Sequence, residues 1–271
     1  MHSLRVAAVV FNSPRNHTRE NLERMDGWVA AARRVGAGIV CFPELNITGY
    51  GVDPGIHEAA ELLPGEAGRS LLAMAARHQA VILAGLVEKG ADGKVFASHL
   101  VVGPQGPIGV YRKLHIAPPE KSIFDAGQAA PVFDAAGIRF GIQLCYDAHF
   151  PELATRMALD GAEVIFMPHA SPRGTPGEKR DSWMRHLPAR AFDNAVFIVA
   201  CNQTGDNGAG LAFPGLAVAI GPDGRVIAAT ADGQEGLLVA DLDAERLAAV
   251  RSHPMRYFLP NRRPDVYRAA K

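Results

Sequence analysis

Two ways of connecting β-strands alternate along this chain, and together they limit the folds that it can adopt. Apolar, strand-like runs at 4–10 and 38–42 are separated by a segment whose apolar residues recur at helical spacing. By contrast, GPQG at 103–106 and GPDG at 221–224 join strand-like runs directly, as in hairpins. Helical crossovers produce parallel neighbours, whereas hairpins produce antiparallel ones. The order therefore predicts an α/β protein whose sheets are mixed.

The positions of the elements follow from the apolar spacing and from the glycines and prolines between the runs. Strands are predicted at 4–10, 38–42, 81–87, 95–102, 107–111, 138–144, 163–167, 196–201, 211–220, 225–230 and 236–241. Helices are predicted from a Thr18 N-cap to Gly36, at 66–78, 151–159 and 180–193, and from Asp243. Pro168 is expected to stop the strand 163–167, because proline cannot donate a ladder hydrogen bond.

Length and charge exclude several classes of protein. No low-complexity linker divides the 271 residues, so a single domain over 1–271 is predicted. Lys plus Arg and Asp plus Glu number 28 each, and this balance argues against nucleic acid or an anionic membrane as a partner. The N-terminus lacks the pattern of a signal peptide, and no run reaches the roughly 18 apolar residues of a membrane span. We therefore expect a cytoplasmic protein.

Cysteine usage agrees with that compartment. The three cysteines, at 41, 145 and 201, have no spacing typical of a disulfide framework or a zinc site. Cys41 and Cys201 lie inside apolar strands and are expected to be core residues. No metal site is predicted.

Reactive side chains follow three of the predicted strands. Glu44 comes after the strand 38–42, Lys113 after 107–111, and Cys145 directly after 138–144. Strand ends are where α/β proteins build their sites, so these residues could converge. A nucleophilic thiol needs a base to take its proton, and a fixed ammonium can hold the oxyanion formed by attack on a carbonyl. On the local sequence alone, a buried structural thiol at Cys145 is an equal alternative.

Longer segments surround these residues. They are FPELNITGY at 42–50, YRKLHI at 111–116, CYDAHFPE at 145–152, WMRHLPARAFDN at 183–194, CNQTG at 201–205 and FPGLAVAIGPDG at 213–224. The chain resembles the nitrilase superfamily of carbon–nitrogen hydrolases over about residues 4 to 241, with the glutamate, lysine and cysteine motifs in the right order. His149 stands where several relatives have arginine, and Ala217 where serine is common. These two departures leave the subfamily open.

The resemblance implies an α-β-β-α sandwich of four layers with two mixed central sheets. It also implies a catalytic triad in which Glu44 is the base, Lys113 stabilises the oxyanion and Cys145 is the nucleophile. Glu120, in the APPEKSIF segment, is the best match to a second glutamate that many members carry. A surface ion pair with Lys121 is the alternative for Glu120. Neither a metal nor an organic cofactor is implied.

Three further residues are candidates for the wall of a substrate pocket. His169 follows from the same resemblance, because the equivalent strand end forms a pocket wall in relatives. Tyr50 and Tyr146 are the other two candidates, with aromatic packing as the alternative. For His169, the alternative is a hydrogen-bonded histidine with no part in catalysis. Asp147 is expected to cap the helix 151–159 rather than to act as an acid.

The implied reaction is hydrolysis of a C–N bond other than a peptide bond, in a small carboxamide, through a cysteine thioester. The alternative is an N-carbamoyl amine or amino-acid amidohydrolase, which a basic pocket residue such as Arg173 would support. A nitrilase is less well supported, because Cys-Tyr-Asp resembles the amidase and carbamoylase branches. The complete triad argues against a catalytically silent binding subunit. Relatives pair through helices near the cysteine and near 183–194. At least a homodimer is expected, with the tail at about 252–271 at the subunit interface.

Overall fold

The computed structural model describes residues 1–267. In chain order its strands are β1 (Leu4–Val10), β2 (Ile39–Cys41), β3 (Val81–Lys89), β4 (Val95–Gly103), β5 (Gly106–Arg112), β6 (Val132–Ala135), β7 (Ile138–Ile142), β8 (Val164–His169), β9 (Phe197–Asn202), β10 (Thr204–Asp206), β11 (Ala212–Pro214), β12 (Ala217–Ile220), β13 (Val226–Thr230) and β14 (Gly236–Leu242). The α-helices are α1 (Thr18–Arg34), α2 (Glu66–His78), α3 (Pro151–Leu159), α4 (Pro176–Met184), α5 (Leu187–Asn194), α6 (Ala244–Arg251) and α7 (Pro264–Tyr267).

Two six-stranded sheets share one plan. The first has the order β14-β1-β2-β3-β4-β5, and the second has the order β13-β12-β9-β8-β7-β6. Each sheet contains three neighbouring parallel strands that are connected through helical segments. They are β1, β2 and β3 in the first sheet, and β7, β8 and β9 in the second. The hairpins β4–β5 and β12–β13 add antiparallel strands. The predicted mixed sheets are confirmed.

The side chains of β1 show how the layers are stacked. Val6, Ala8 and Val10 belong to the core between the two sheets, together with Phe140 of β7. Ala7 and Val9 point to the other face, where they pack with side chains of α1 and α2. This alternation is the period of a strand that is buried on both faces. Helices α3 and α5 cover the outer face of the second sheet, which completes the predicted α-β-β-α sandwich.

Two prolines behave differently from the prediction. Strand β8 continues through Pro168 to His169, because β7 ends earlier and leaves Pro168 paired only with Cys201 of β9. The helix predicted at 180–193 is two helices, α4 and α5. A continuous helix is prevented by Pro188, whose ring would clash with the carbonyl four residues earlier, and Pro188 lies in the first turn of α5 instead.

Other differences are local. The strand predicted at 211–220 is divided into β11 and β12, because Gly215 adopts a left-handed conformation with φ of 60°. Thr18 is the first residue of α1 rather than its N-cap, and its neighbour His17 occupies the cap position without a side-chain capping bond. The short strands β6 and β10 were not predicted. Over residues 1–267, no helix combines the length and the apolar character that crossing a membrane requires.

Candidate active site

The structure brings Glu44, Lys113 and Cys145 together at the ends of strands from both sheets. Glu44 lies in the buried turn after β2, and Lys113 directly follows β5, so both come from the first sheet. Cys145 follows β7 of the second sheet, in a 3-10 turn at Cys145–His149. The site therefore lies where the carboxyl ends of strands from the two sheets meet.

Lys113 is held between two carboxylates. Its Nζ is 2.8 Å from Glu44 Oε1 and 2.8 Å from Glu120 Oε2. The exposed fractions of the Lys113, Glu44 and Glu120 side chains are 0%, 1% and 3%. Glu120 is therefore a member of this buried cluster and not a surface partner of Lys121. One ammonium faces two carboxylates out of water, and this excess of negative groups favours retention of a proton.

Glu44 has the character of a base that works near neutral pH. Burial raises the pKa of its carboxyl to about 7, while the Lys113 ammonium opposes that shift and Glu120 adds to it. Two further contacts orient the group. The Ala170 N–H donates to Glu44 Oε2 over 3.1 Å, and Gln203 Nε2 donates to the Glu44 carbonyl over 2.8 Å. A carboxylate with such a pKa can both take and return a proton.

Cys145 adopts a backbone conformation that L-residues seldom occupy. Its φ is 43°, in the left-handed region, and strain of this kind is concentrated at functional sites. Its side chain is partly exposed, unlike those of Cys41 and Cys201, which are buried. Burial of the sulfur and the nearby Glu44 carboxylate raise the pKa of the Cys145 thiol, and Lys113 only partly opposes them. The group therefore rests as a thiol, and its ionisation requires proton transfer.

Asp147 holds the turn that carries Cys145. Its carboxylate accepts hydrogen bonds from the backbone N–H groups of Leu144 (3.0 Å) and His115 (2.8 Å) and from the hydroxyl of Tyr111 (2.7 Å). It does not cap α3, whose N-cap position is taken by Phe150 without a side-chain bond. Asp147 therefore has the structural role that was expected, but in the turn that carries Cys145 instead of at the start of α3. There its carboxylate connects the end of β5 to the end of β7.

Comparisons with known proteins agree with this arrangement. A profile for carbon–nitrogen hydrolases matches residues 5–252. The chain belongs to the carbon–nitrogen hydrolase family. The protein is thus a member of the nitrilase superfamily. It is a hydrolase that acts on carbon–nitrogen bonds other than peptide bonds, as predicted from the sequence.

Individual relatives of this carbon–nitrogen hydrolase are similar over almost their whole length. A nitrilase of Pyrococcus abyssi is 31% identical over 274 residues, which cover 97% of this chain and 99% of that protein. The omega-amidase NIT2 of Xenopus tropicalis is 30% identical, with coverage of 92% and 91%. A mutant amidase from Nesterenkonia sp. AN1, solved in complex with butyramide, superposes with a TM-score of 0.83 at 25% identity, with coverage of 98% and 96%.

The three predicted pocket residues of the hydrolase lie around this cluster in different ways. Tyr50 donates its hydroxyl hydrogen bond to Glu120 Oε1 over 2.9 Å and is buried. Tyr146 is partly exposed, and its ring packs against Phe150 with centroids 5.4 Å apart. The structure thus connects Tyr50 directly to the ion-pair cluster, whereas Tyr146 follows the cysteine without a side-chain hydrogen bond to the cluster.

His169 is a neutral residue with a defined tautomer. Its Nδ1 lies 2.7 Å from the Met167 carbonyl, and its ring packs on Trp183 at 4.3 Å between centroids. Burial lowers the pKa of His169 to about 3. Because a carbonyl only accepts, Nδ1 carries the proton and Nε2 is left as an acceptor. Such an acceptor suits an amide N–H of a ligand.

Sequence reasoning missed several contributors to the site. The Ala170 N–H is a backbone group, so the identity of the residue could not reveal that it donates to Glu44. Gln203 lies in the CNQTG segment and was not singled out. Lys179 of α4 was not considered either, although its ammonium donates to Ser171, the residue after Ala170. Over residues 1–267, no group of three or more His, Cys, Asp or Glu side chains is arranged to hold a metal ion.

Proposed function

We propose that this hydrolase cleaves the amide bond of a small carboxamide through a thioester on Cys145, with Glu44, Lys113 and Glu120 as the other catalytic residues. The observation that carries the proposal is the buried Lys113 ammonium between two carboxylates, next to a thiol in a strained turn. Relatives named as an amidase and an omega-amidase support amide hydrolysis, and the relative named as a nitrilase makes nitrile hydrolysis the alternative to test.

The first half-reaction transfers the acyl group to sulfur. Glu44 takes the thiol proton while Sγ of Cys145 attacks the carbonyl carbon, and the C=O electron pair moves to oxygen. The Lys113 ammonium and the backbone N–H of Tyr146 stabilise this oxyanion, and one such donor typically contributes about 3 kcal/mol to the transition state. The C–N bond then breaks as Glu44 returns the proton to the leaving nitrogen, which gives ammonia and a thioester.

The second half-reaction releases the acid. Glu44 takes a proton from water, and the resulting hydroxide adds to the thioester carbon. The C–S bond then breaks as Glu44 returns that proton to sulfur, which releases the acid and regenerates the thiol and the Glu44 carboxylate. Glu120 fixes Lys113 between the two carboxylates, and Tyr50 in turn holds Glu120. The unprotonated Nε2 of His169 accepts a hydrogen bond from the amide of the substrate. Together with Tyr146, these residues form the proposed pocket.

The decisive experiment combines turnover with identification of the modified cysteine. Ammonia release from butanamide is measured for the wild type, Cys145→Ala and Cys41→Ala. We expect turnover to disappear in Cys145→Ala and to persist in Cys41→Ala, whose thiol is buried in the core. Peptide mapping after incubation with acrylamide should find the adduct on Cys145. An adduct on Cys41 or Cys201, or full turnover in Cys145→Ala, would contradict the proposal.

We also propose that the enzyme is a cytoplasmic homodimer or higher homo-oligomer, without nucleic acid or membrane partners. Its three free cysteines favour a reducing compartment. Apolar side chains are exposed near the second-sheet helices: Leu159 by 50%, Phe192 by 44% and Phe258 by 38%. The Phe258 ring, from the tail, lies 5.4 Å from that of Phe192. A strictly monomeric mass by light scattering would contradict the dimer. Residues 268–271 of the tail lie outside the described residues.

A further inference from the structure

Lys179 is a half-buried cation whose partners are neutral. It lies on α4, and its side chain folds back over the segment 170–172 that follows β8. Its Nζ donates to Ser171 Oγ over 2.8 Å and to the Pro172 carbonyl over 3.1 Å. Among residues 1–267, no carboxylate oxygen comes within 4.0 Å of this ammonium. An ammonium has three donors, so one remains for a ligand.

The position of Lys179 connects it to the catalytic cluster. Its partner Ser171 directly follows Ala170, whose N–H donates to Glu44, and consecutive Cα atoms are only about 3.8 Å apart. The buried Asn202 side chain holds the backbone of Ser171 at both its N–H (2.8 Å) and its carbonyl (3.1 Å). The ammonium is thus fixed beside the site by a rigid segment.

Electrostatics agrees with this proximity. Burial lowers the pKa of Lys179, and negative charge that forms on Cys145 would oppose this shift. Lys113 is already paired with two carboxylates, and its remaining donor is assigned to the oxyanion, so it is not available for a second carboxylate on the substrate. Lys179 has no counterion among the described residues, and a partly desolvated charge gains most from an ionic partner.

We propose that Lys179 is a specificity-determining residue that binds a carboxylate on the substrate, a few bonds from the carbonyl that Cys145 attacks. The preferred substrate is then a short amide that carries a carboxylate at its far end. This inference rests on the proposed function, since it assumes that the carbonyl lies at Cys145. The alternative is a purely structural role, in which Lys179 only holds the segment 170–172 against α4. Substitution of Lys179 would then change kcat/KM for every substrate equally.

Two matched pairs of compounds separate these roles. Succinamate and butanamide differ only in a terminal carboxylate in place of a methyl group, and so do N-carbamoylglycine and N-ethylurea. The selectivity ratio is kcat/KM for the acid divided by kcat/KM for its neutral partner. It is measured for the wild type, Lys179→Met, Lys179→Arg and the control Arg173→Met. Arg173 is an exposed cation in the segment between β8 and α4, next to Pro172 in sequence.

We expect the wild type to prefer the acid of at least one pair. Lys179→Met should lower that ratio on the order of 10-fold to 100-fold, mainly through KM, because a charge-assisted hydrogen bond is lost. Lys179→Arg should retain most of the ratio, and Arg173→Met should leave it unchanged. Preference within the succinamate pair indicates an ω-amide substrate, and preference within the other pair indicates an N-carbamoyl amino acid.

The two proposals fail in different ways. Turnover of the neutral compounds with a ratio that Lys179→Met does not move would overturn the role of Lys179 and leave the proposed function intact. A ratio that falls in Arg173→Met instead would also overturn it. Absence of any turnover would count against the proposed function. In that case, calorimetric binding of succinamate and N-carbamoylglycine to Cys145→Ala, with and without Lys179→Met, decides the inference. Equal affinities, or no binding in either, would contradict it.

Discussion

Arg112 and Lys113 are adjacent at the end of β5, yet they form ion pairs in two very different carboxylate clusters. Arg112 pairs with Glu88, its Nε lying 2.8 Å from Oε2, and 41% of its side chain is exposed. Ser98 completes that cluster with a 2.6 Å hydrogen bond to Glu88. Lys113 is completely buried and faces two carboxylates.

The difference between these clusters lies in charge balance. The Arg112 cluster has one cation for one carboxylate, and its cation is open to solvent, so its charges balance. The Lys113 cluster has one cation for two carboxylates in a dry site. Burial raises the pKa of Glu44, the Glu120 charge adds to the shift, and the single Lys113 ammonium only partly opposes it. An ion pair becomes a candidate acid–base site when its charges do not cancel, and the following substitutions test that distinction.

The largest contrast is expected between Glu44→Gln and Glu88→Gln. Glu44→Gln removes the proposed base, and kcat/KM for butanamide should fall on the order of 10³-fold to 10⁴-fold. Glu88→Gln should lower the free energy of unfolding in urea by about 2 kcal/mol, because it weakens a buried pair, while activity is retained. If Glu44→Gln keeps most of its activity, the assignment of the base is wrong.

The cations give the next comparison. Lys113→Met should lower kcat/KM about 10²-fold to 10³-fold, the loss typical of one oxyanion donor. In Arg112→Met, which changes the same strand end, kcat/KM should remain close to that of the wild type. Steady-state kinetics of both variants over butanamide concentrations from below KM to saturation separates kcat from KM. Equal losses in the two variants would show that disturbance of β5, rather than the lost ammonium, is responsible.

The pH dependence sharpens the same point. Glu44 acts in its ionised form, so kcat/KM should rise about tenfold per pH unit on the acid side of its pKa. Because burial raises that pKa to about 7, the rise should level off near neutral pH instead of near the usual pKa of a carboxyl group. The Glu88→Gln variant should show the same profile. A level profile through the weakly acid range would contradict a raised pKa in the free enzyme.

The smallest effects on activity and stability are expected when two tyrosines are replaced by phenylalanine. Tyr50 and Tyr111 both donate hydrogen bonds to buried carboxylates, those of Glu120 and Asp147. Tyr50→Phe should lower kcat/KM about fivefold to tenfold, because Glu120 loses one partner while Lys113 remains. Tyr111→Phe should act mainly on stability, by about 1 kcal/mol in urea unfolding, since Asp147 keeps its backbone donors. A larger loss of activity in Tyr111→Phe than in Tyr50→Phe would reverse the proposed order.

Much of the molecule could be read from local patterns. The strand and hairpin periodicity predicted the mixed sheets, and the prolines and glycines marked most boundaries. The errors at Pro168 and Gly215 arose because a run of apolar residues does not reveal where a neighbouring strand ends or a backbone turns. Glu44, Lys113 and Cys145 were found because each follows a recognisable strand. The single domain over 1–271 stays a prediction.

The sequence by itself determined which side chains bring chemistry to the strand ends, because residue type and position relative to a strand are local properties. Only the tertiary structure decided which of them meet in one cluster. For Glu120 a surface pair with Lys121 was the alternative to a place in the site, and its burial depends on contacts with Tyr50 and Lys113. Lys179 comes beside the cluster because α4 packs back over the end of β8. Contacts between segments that are distant in sequence depend on tertiary packing, so local sequence patterns do not predict them.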